Sequence, residues 1–129
     1  MLQKVVEYLR GAFPHYSWVG VYLVDGDVLR LSAWDGKQPT VHVAIPVGRG
    51  ICGLAARTGQ TVLVGDVSKD NRYLACFTTT KSEIVVPIKR GSEVVGEIDI
   101  DGDQLNAYNE SDKEFLESVA ELLSGVISG

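Results

Sequence analysis

The sequence predicts an α+β domain: a central antiparallel sheet of about six strands, N- and C-terminal helices on one face, and a ligand pocket covered by a loop on the other. Three observations predict it. Apolar residues repeat at helical spacing at both ends of the chain. Between them apolar and mixed positions alternate, as in half-buried strands. A long connection, residues 48–81, then divides the strands into two groups. At 129 residues, with 45% hydrophobic and 22% charged, the chain is expected to be one globular domain covering 1–129, and a disordered chain is excluded.

Leu2, Val5, Val6, Leu9 and Phe13 share one face of a first helix, which Gly11 and Pro14 bring to an end. Strands Trp18–Val24 and Val28–Trp34 follow, joined by Asp25-Gly26-Asp27, a strong hairpin signal. A third strand is expected over about Val41–Val47. Gly48-Arg49-Gly50-Ile51-Cys52-Gly53 opens a short helix that Gly59 ends, and a short strand, Thr61–Val64, leads into a polar loop from Asp66 to about Lys81. Strands Ser82–Ile88 and Ser92–Asp101 turn at Arg90-Gly91. The final helix covers about Glu110–Ile127, with Ser111 and Glu114 at capping-box spacing and Phe115, Leu116, Val119, Leu122, Leu123, Val126 and Ile127 as its apolar stripe.

Side-chain alternation then sorts the strands by face. One parity is aliphatic (Val19, Val21, Leu23; Leu29, Leu31, Ala33; Val41, Val43, Ile45, Val47; Ile84, Val86, Ile88; Val94, Gly96, Ile98, Ile100) and is expected to meet the terminal helices. The other is mixed: Trp18, Gly20, Tyr22; Arg30, Ser32, Trp34; His42, Ala44, Pro46; Glu83, Val85, Pro87; Glu97, Asp99, Asp101. An antiparallel sheet often leaves such a face in water. Two tryptophans and a tyrosine among carboxylates fit water badly, so a pocket under the 48–81 connection is the better reading.

Composition narrows the function. A net charge of −5 argues against nucleic acid as a partner. No apolar run reaches the roughly 18 residues of a membrane span. The amphipathic N-terminus MLQKVVEYLRG is not a secretory signal, so a reducing cytoplasm is expected. A disulfide between the two cysteines would there be transient and catalytic rather than structural.

Cys52 and Cys76 both fall on the connection expected to cover the pocket. Cys52 sits where glycine-rich chain enters a helix, a place that lowers a thiol pKa. Cys76 lies in an irregular segment before Thr78-Thr79-Thr80. Buried, inert sulfur is the plainer alternative for either. Asp99 and Asp101 share a strand face, and Glu83 has the same parity on the neighbouring strand. If enclosed, these acids would raise at least one another's pKa, leave a proton donor near neutrality and suit a cationic group such as an α-ammonium. With only His15 and His42 as histidines and no ligand motif, no metal and no cofactor is expected. Gly48-Arg49-Gly50-Ile51-Cys52-Gly53 formally matches G-x-G-x-x-G. The helix it opens is too short, and the strands too plainly antiparallel, for a dinucleotide site. A helix N-terminus facing the pocket could still hold a substrate carboxylate.

The order helix, hairpin, cover, hairpin, helix resembles a GAF domain. Three stretches are similar to free methionine-(R)-sulfoxide reductases: Ser17-Trp18-Val19-Gly20-Val21-Tyr22-Leu23; Ile45-Pro46-Val47-Gly48-Arg49-Gly50-Ile51-Cys52-Gly53; and Ala75-Cys76 with Ser82-Glu83-Ile84-Val85-Val86-Pro87 and Gly96-Glu97-Ile98-Asp99-Ile100-Asp101. The resemblance implies that Cys76 attacks the sulfoxide sulfur and becomes a sulfenic acid. It implies that Cys52 resolves this acid as an intramolecular disulfide, and that a thioredoxin-like dithiol resets the pair. Glu83, Asp99 and Asp101 would hold the substrate ammonium or deliver the proton, and Trp18 and Tyr22 would wall the methyl-sulfur end. His42 stands where the family commonly has a third cysteine, which leaves Cys52 as the only internal resolver. Phe77 stands where it usually has an aspartate. These two departures favour a second class of function, a non-catalytic GAF module sensing a cyclic nucleotide, an amino acid or redox state. Against it stands the expectation that a chain beginning at Met1 carries no output domain. Fold analogy adds a homodimer through the terminal helices.

Overall fold

The computed structural model describes residues 1–37, 40, 43–47, 49–70 and 80–127. His42, Gly48, Cys76 and Phe77 lie outside them. Strands β1 (Trp18–Asp25) and β2 (Val28–Gly36) form the predicted hairpin, and Gly26 supplies the positive φ of 65° that its tight turn needs. A short β3 (Ala44–Pro46) extends the sheet beyond β2. Helix α2 (Gly50–Thr58), β4 (Val62–Val64) and a 3-10 turn at Val67–Lys69 are the described elements of the connection. Then come β5 (Ser82–Arg90) and β6 (Glu93–Gly102). Helices α1 (Leu2–Ala12) and α3 (Glu110–Ser124) open and close the chain. The strand order is β3-β2-β1-β6-β5-β4, and every neighbouring pair is antiparallel.

The sheet has a core on each face. Val6 and Leu9 of α1, and Leu116, Ala120 and Leu123 of α3, pack on Val19, Val21, Ala33, Ile84, Val86, Ile88, Ile98 and Ile100. On the opposite face Ile51, Cys52 and Ala55 of α2 pack with Tyr22, Leu29, Ile45, Val64, Val67 and Val85. Burying each large aliphatic side chain stabilises the fold by about 1.5–3 kcal/mol. The second core is why the face with mixed residues is not a solvated surface.

Three sequence expectations change. The β1–β2 register shifts between Val21 and Tyr22, so that Val21 pairs with Ala33 but Tyr22 with Leu31. Ser32 is thus a bulge, and one extra residue sends every earlier side chain of β2 to the other face. Leu29 and Leu31, expected against the terminal helices, pack in the second core instead, and Ile45, paired with Leu29, goes with them. The α3 stripe is narrower than expected, since Leu122 and Val126 are exposed. Its capping box is formed by Asn109 and Asp112, two residues before Ser111 and Glu114: the Asp112 amide donates to Asn109 Oδ1 and the Asn109 amide to Asp112 Oδ2. Asp112 also accepts from the Tyr16 hydroxyl at 2.9 Å and lies 2.9 Å from His15 Nε2, which ties the start of α3 to the chain before β1.

Candidate active site

Glu97, Asp99 and Asp101 alternate along β6 with Ile98 and Ile100, so the aliphatic pair faces the terminal helices and the three acids face α2. Register places Trp18, Gly20 and Tyr22 of β1 beside Asp101, Asp99 and Glu97. On the other side, Glu83, Val85 and Pro87 of β5 stand beside the same three acids. All four carboxyl groups are buried: Glu83 is 4% exposed, Glu97 0%, Asp99 1% and Asp101 2%. Four acids in one dry space cannot all ionise freely. Burial first, and then Asp99, push the Asp101 carboxyl well above its ordinary range, partly offset by a hydrogen bond with Glu83. Burial and Asp99 likewise push Glu97 up.

Helix α2 lowers Cys52 onto this row. One ligand-type atom each from Cys52, Glu83 and Asp99 lies within 4.8 Å of the others. The Cys52 thiol also meets the Glu97 carboxyl. Its place near the helix N-terminus predicted a lowered thiol pKa. The structure reverses this: burial, then Asp99, Glu97 and Glu83, raise the Cys52 thiol well above its ordinary value. The field of the acids and the loss of water outweigh a helix end, whose effect is modest. Cys52, Glu83 and Asp99 are close enough together to hold a cation, which would have to displace the proton that burial and the acids favour on the Cys52 sulfur.

The aromatic side of the site is built on glycine. Trp18 is 4% exposed and lies parallel to Trp34, with centroids 6.3 Å apart and 12° between planes. A Cβ on Gly20 would fall 2.3 Å from the Trp18 ring, and one on Gly36 2.2 Å. The indole therefore lies flat across two bare stretches of backbone. Tyr22, fully buried, stands next along β1. Gly20→Ala is expected to force the indole aside and destabilise the fold by about 1–3 kcal/mol in urea unfolding. Gly11→Ala, where an added methyl meets nothing within 4 Å, is expected to be neutral or slightly stabilising.

The site thus brings together six of the seven side chains expected from the sequence: Trp18, Tyr22, Cys52, Glu83, Asp99 and Asp101. The seventh, Cys76, is outside the described residues. Glu97 is the residue the sequence reading placed on the right face but left out of the acid group. Its signal was present in the alternation 97, 99, 101. Its contact with Cys52 depends on how α2 crosses the sheet, which strand parity does not encode.

A profile of the GAF domain family matches residues 1–128. The solved structure of a type II free methionine-R-sulfoxide reductase from Thermoplasma acidophilum superposes with a TM-score of 0.94 at 41% identity, over 97% of this chain and 88% of that one. The chain is a GAF domain of the free methionine-(R)-sulfoxide reductase family. The family's oxidoreductases include the Escherichia coli enzyme of that name, 33% identical over 87% of this chain and 67% of its own length. A reductase from Neisseria meningitidis, solved in complex with its substrate, is 38% identical, with a TM-score of 0.90 over 96% of this chain and 74% of that one. The GAF fold expected from the sequence is therefore the one observed. Among the described residues, no helix is long and apolar enough to cross a membrane.

Proposed function

We propose that this chain reduces free methionine-(R)-sulfoxide to methionine in the cytoplasm as a single GAF domain, residues 1–129, with thiols as the source of electrons and without a metal or other cofactor. One observation carries the reading: a sulfur, a row of four buried acids and an aromatic wall share one enclosed face of the sheet. Membership in a family whose relatives reduce this substrate supports it.

In the first step Cys76 attacks the sulfoxide sulfur. The sulfur–oxygen bond of the substrate breaks, the oxygen passes to Cys76 as a sulfenic acid, and methionine leaves. The oxygen needs a proton as charge builds on it, and a carboxyl whose pKa burial and Asp99 raise, such as Asp101, can give one. Glu83 and Asp99 hold the substrate ammonium, while Trp18 and Tyr22 receive its methyl-sulfur end. In the second step Cys52 condenses with the sulfenic acid, water leaves, and an intramolecular disulfide remains. A thioredoxin-like dithiol then reduces it. Exposed Tyr8 on α1 and Leu122 on α3 are where a homodimer through the terminal helices would close.

The test is NADPH oxidation coupled through thioredoxin and its reductase, with each sulfoxide epimer. Turnover is expected with the R epimer and not the S. Cys76→Ser is expected to lose more than about 10³-fold. No turnover with the R epimer, or undiminished turnover in Cys76→Ser, rejects the reading. A thermal-shift response to a cyclic nucleotide with none to methionine compounds would point to a sensor instead.

A further inference from the structure

We propose that Glu97 is the proton acceptor for Cys52: its buried carboxylate takes the thiol proton as Cys52 closes on an oxidised partner cysteine. The assignment rests on the reductase reading and deepens its second step.

Glu97 is wholly buried, and neither of its carboxyl oxygens has a well-formed hydrogen bond among the described residues. Among the described residues, the polar group that α2 sets against it is the Cys52 thiol. Its cross-strand neighbours are Tyr22 on β1 and Pro87 on β5, and the core around it is Leu29, Ile51, Ala55 and Val85. An apolar side chain would suit this position, because a buried acid without donors destabilises a fold. Among the described residues, the titratable groups that act on Glu97 are Cys52 from α2 and Asp99 on its own strand, Tyr22 on β1 is its cross-strand neighbour, and Glu83 and Asp101 stand farther along the same row. None of them is a cation that would offset its charge. Packing therefore gives no account of a carboxyl here, whereas the chemistry of the neighbouring thiol does.

Cys52 is a poor nucleophile as it stands, since burial and the surrounding acids keep the proton on sulfur. Disulfide closure needs that proton removed. As the sulfur–sulfur bond forms and the sulfenic sulfur–oxygen bond breaks, the Cys52 proton passes to Glu97. The departing hydroxide takes a proton from a protonated acid of the same row and leaves as water. One proton is given and one taken, so the row ends with the charge it began with. Ionised Glu97 is the active form, so closure should quicken as pH rises.

The experiment mixes reduced protein with one equivalent of free methionine-(R)-sulfoxide or, separately, of hydrogen peroxide. Methionine, free thiols, and sulfenic acid trapped by a dimedone-type nucleophile are followed in time. Glu97→Gln is expected to lower the ratio of closure rate to methionine-formation rate at least about tenfold at pH 7. It should let sulfenic acid accumulate and move the closure profile to higher pH. Glu97→Asp is expected to restore part of the rate. Glu97→Leu gives a second variant without a carboxyl, matched to the apolar surroundings, should Glu97→Gln fold poorly. If Glu97 merely repels a thiolate, removing its charge would make closure faster. Closure in either variant as fast as in the natural protein, or no Cys52 disulfide in the natural protein with either oxidant, overturns the assignment. If the natural protein forms no methionine, yet peroxide still drives a closure that Glu97→Gln slows, the reductase reading fails and the assignment of Glu97 stands.

Discussion

Asp101→Asn is expected to lower kcat for methionine-(R)-sulfoxide by about 10²–10³-fold, with KM changed by no more than a few-fold. The carboxyl is 2% exposed, flanked by Trp18 and Glu83 across the two neighbouring strands, and held well above its ordinary pKa by burial and by Asp99. An amide keeps the shape and loses the proton that the departing oxygen needs, so the deficit should fall on kcat. The natural enzyme should slow as pH rises through the raised value of this acid, and the variant should lose that limb. Stability gives a second readout of opposite sign. A carboxyl whose pKa is raised on folding binds its proton more tightly in the native state. Native stability therefore falls as pH rises from the ordinary carboxylate value, about 4, toward the raised one. Asp101→Asn removes this decline. It should be more stable than the natural protein at pH 8 by about 1–3 kcal/mol and show little gain near pH 4. Urea unfolding at the two pH values measures it. A less active and also less stable variant at pH 8 would mean that Asp101 is a structural hydrogen-bond partner rather than a proton store.

Cys52→Ser should separate the two halves of the reaction. With Cys76 as the proposed attacking sulfur, the first turnover is expected to release about one equivalent of methionine. Thioredoxin-coupled turnover is then expected to fall at least about 10²-fold as the sulfenic acid waits for an external thiol. Rapid-quench measurement of methionine should show a burst and then a near-flat phase, and a large excess of a small dithiol should restore part of the slope. Loss of the burst itself would move Cys52 into the first step. Because the thiol touches the acids, serine in its place keeps a small polar group beside Glu97 and should leave the fold intact.

The parts of the fold set by local chemistry were legible from the residues. Asp25-Gly26-Asp27 makes the hairpin, strand parity collects Glu97, Asp99 and Asp101 on one face, and the terminal helices lie where the 3.6-residue spacing puts them. What was missed depends on neighbours rather than on the segment itself. Nothing in Leu29-Arg30-Leu31-Ser32-Ala33 announces a bulge, yet the register shift at Ser32 reassigns Leu29 and Leu31 from one core to the other. Asn109 rather than Ser111 caps α3, because Asp112 lies where it can return the bond to the cap and also receive Tyr16. The ionisation of Cys52 was misjudged for the same reason. A helix end is visible in Gly-Arg-Gly-Ile-Cys-Gly, but the three acids that act on the thiol, Asp99, Glu97 and Glu83, come from strands far along the chain.

The most direct test of the whole account is a single oxidation of the reduced protein by each sulfoxide epimer, followed by acid quench and peptide mapping of the cysteines. The account predicts one equivalent of methionine and a Cys52–Cys76 crosslink with the R epimer, and unchanged thiols with the S epimer. Methionine without that crosslink, or two free thiols after exposure to the R epimer, would contradict it.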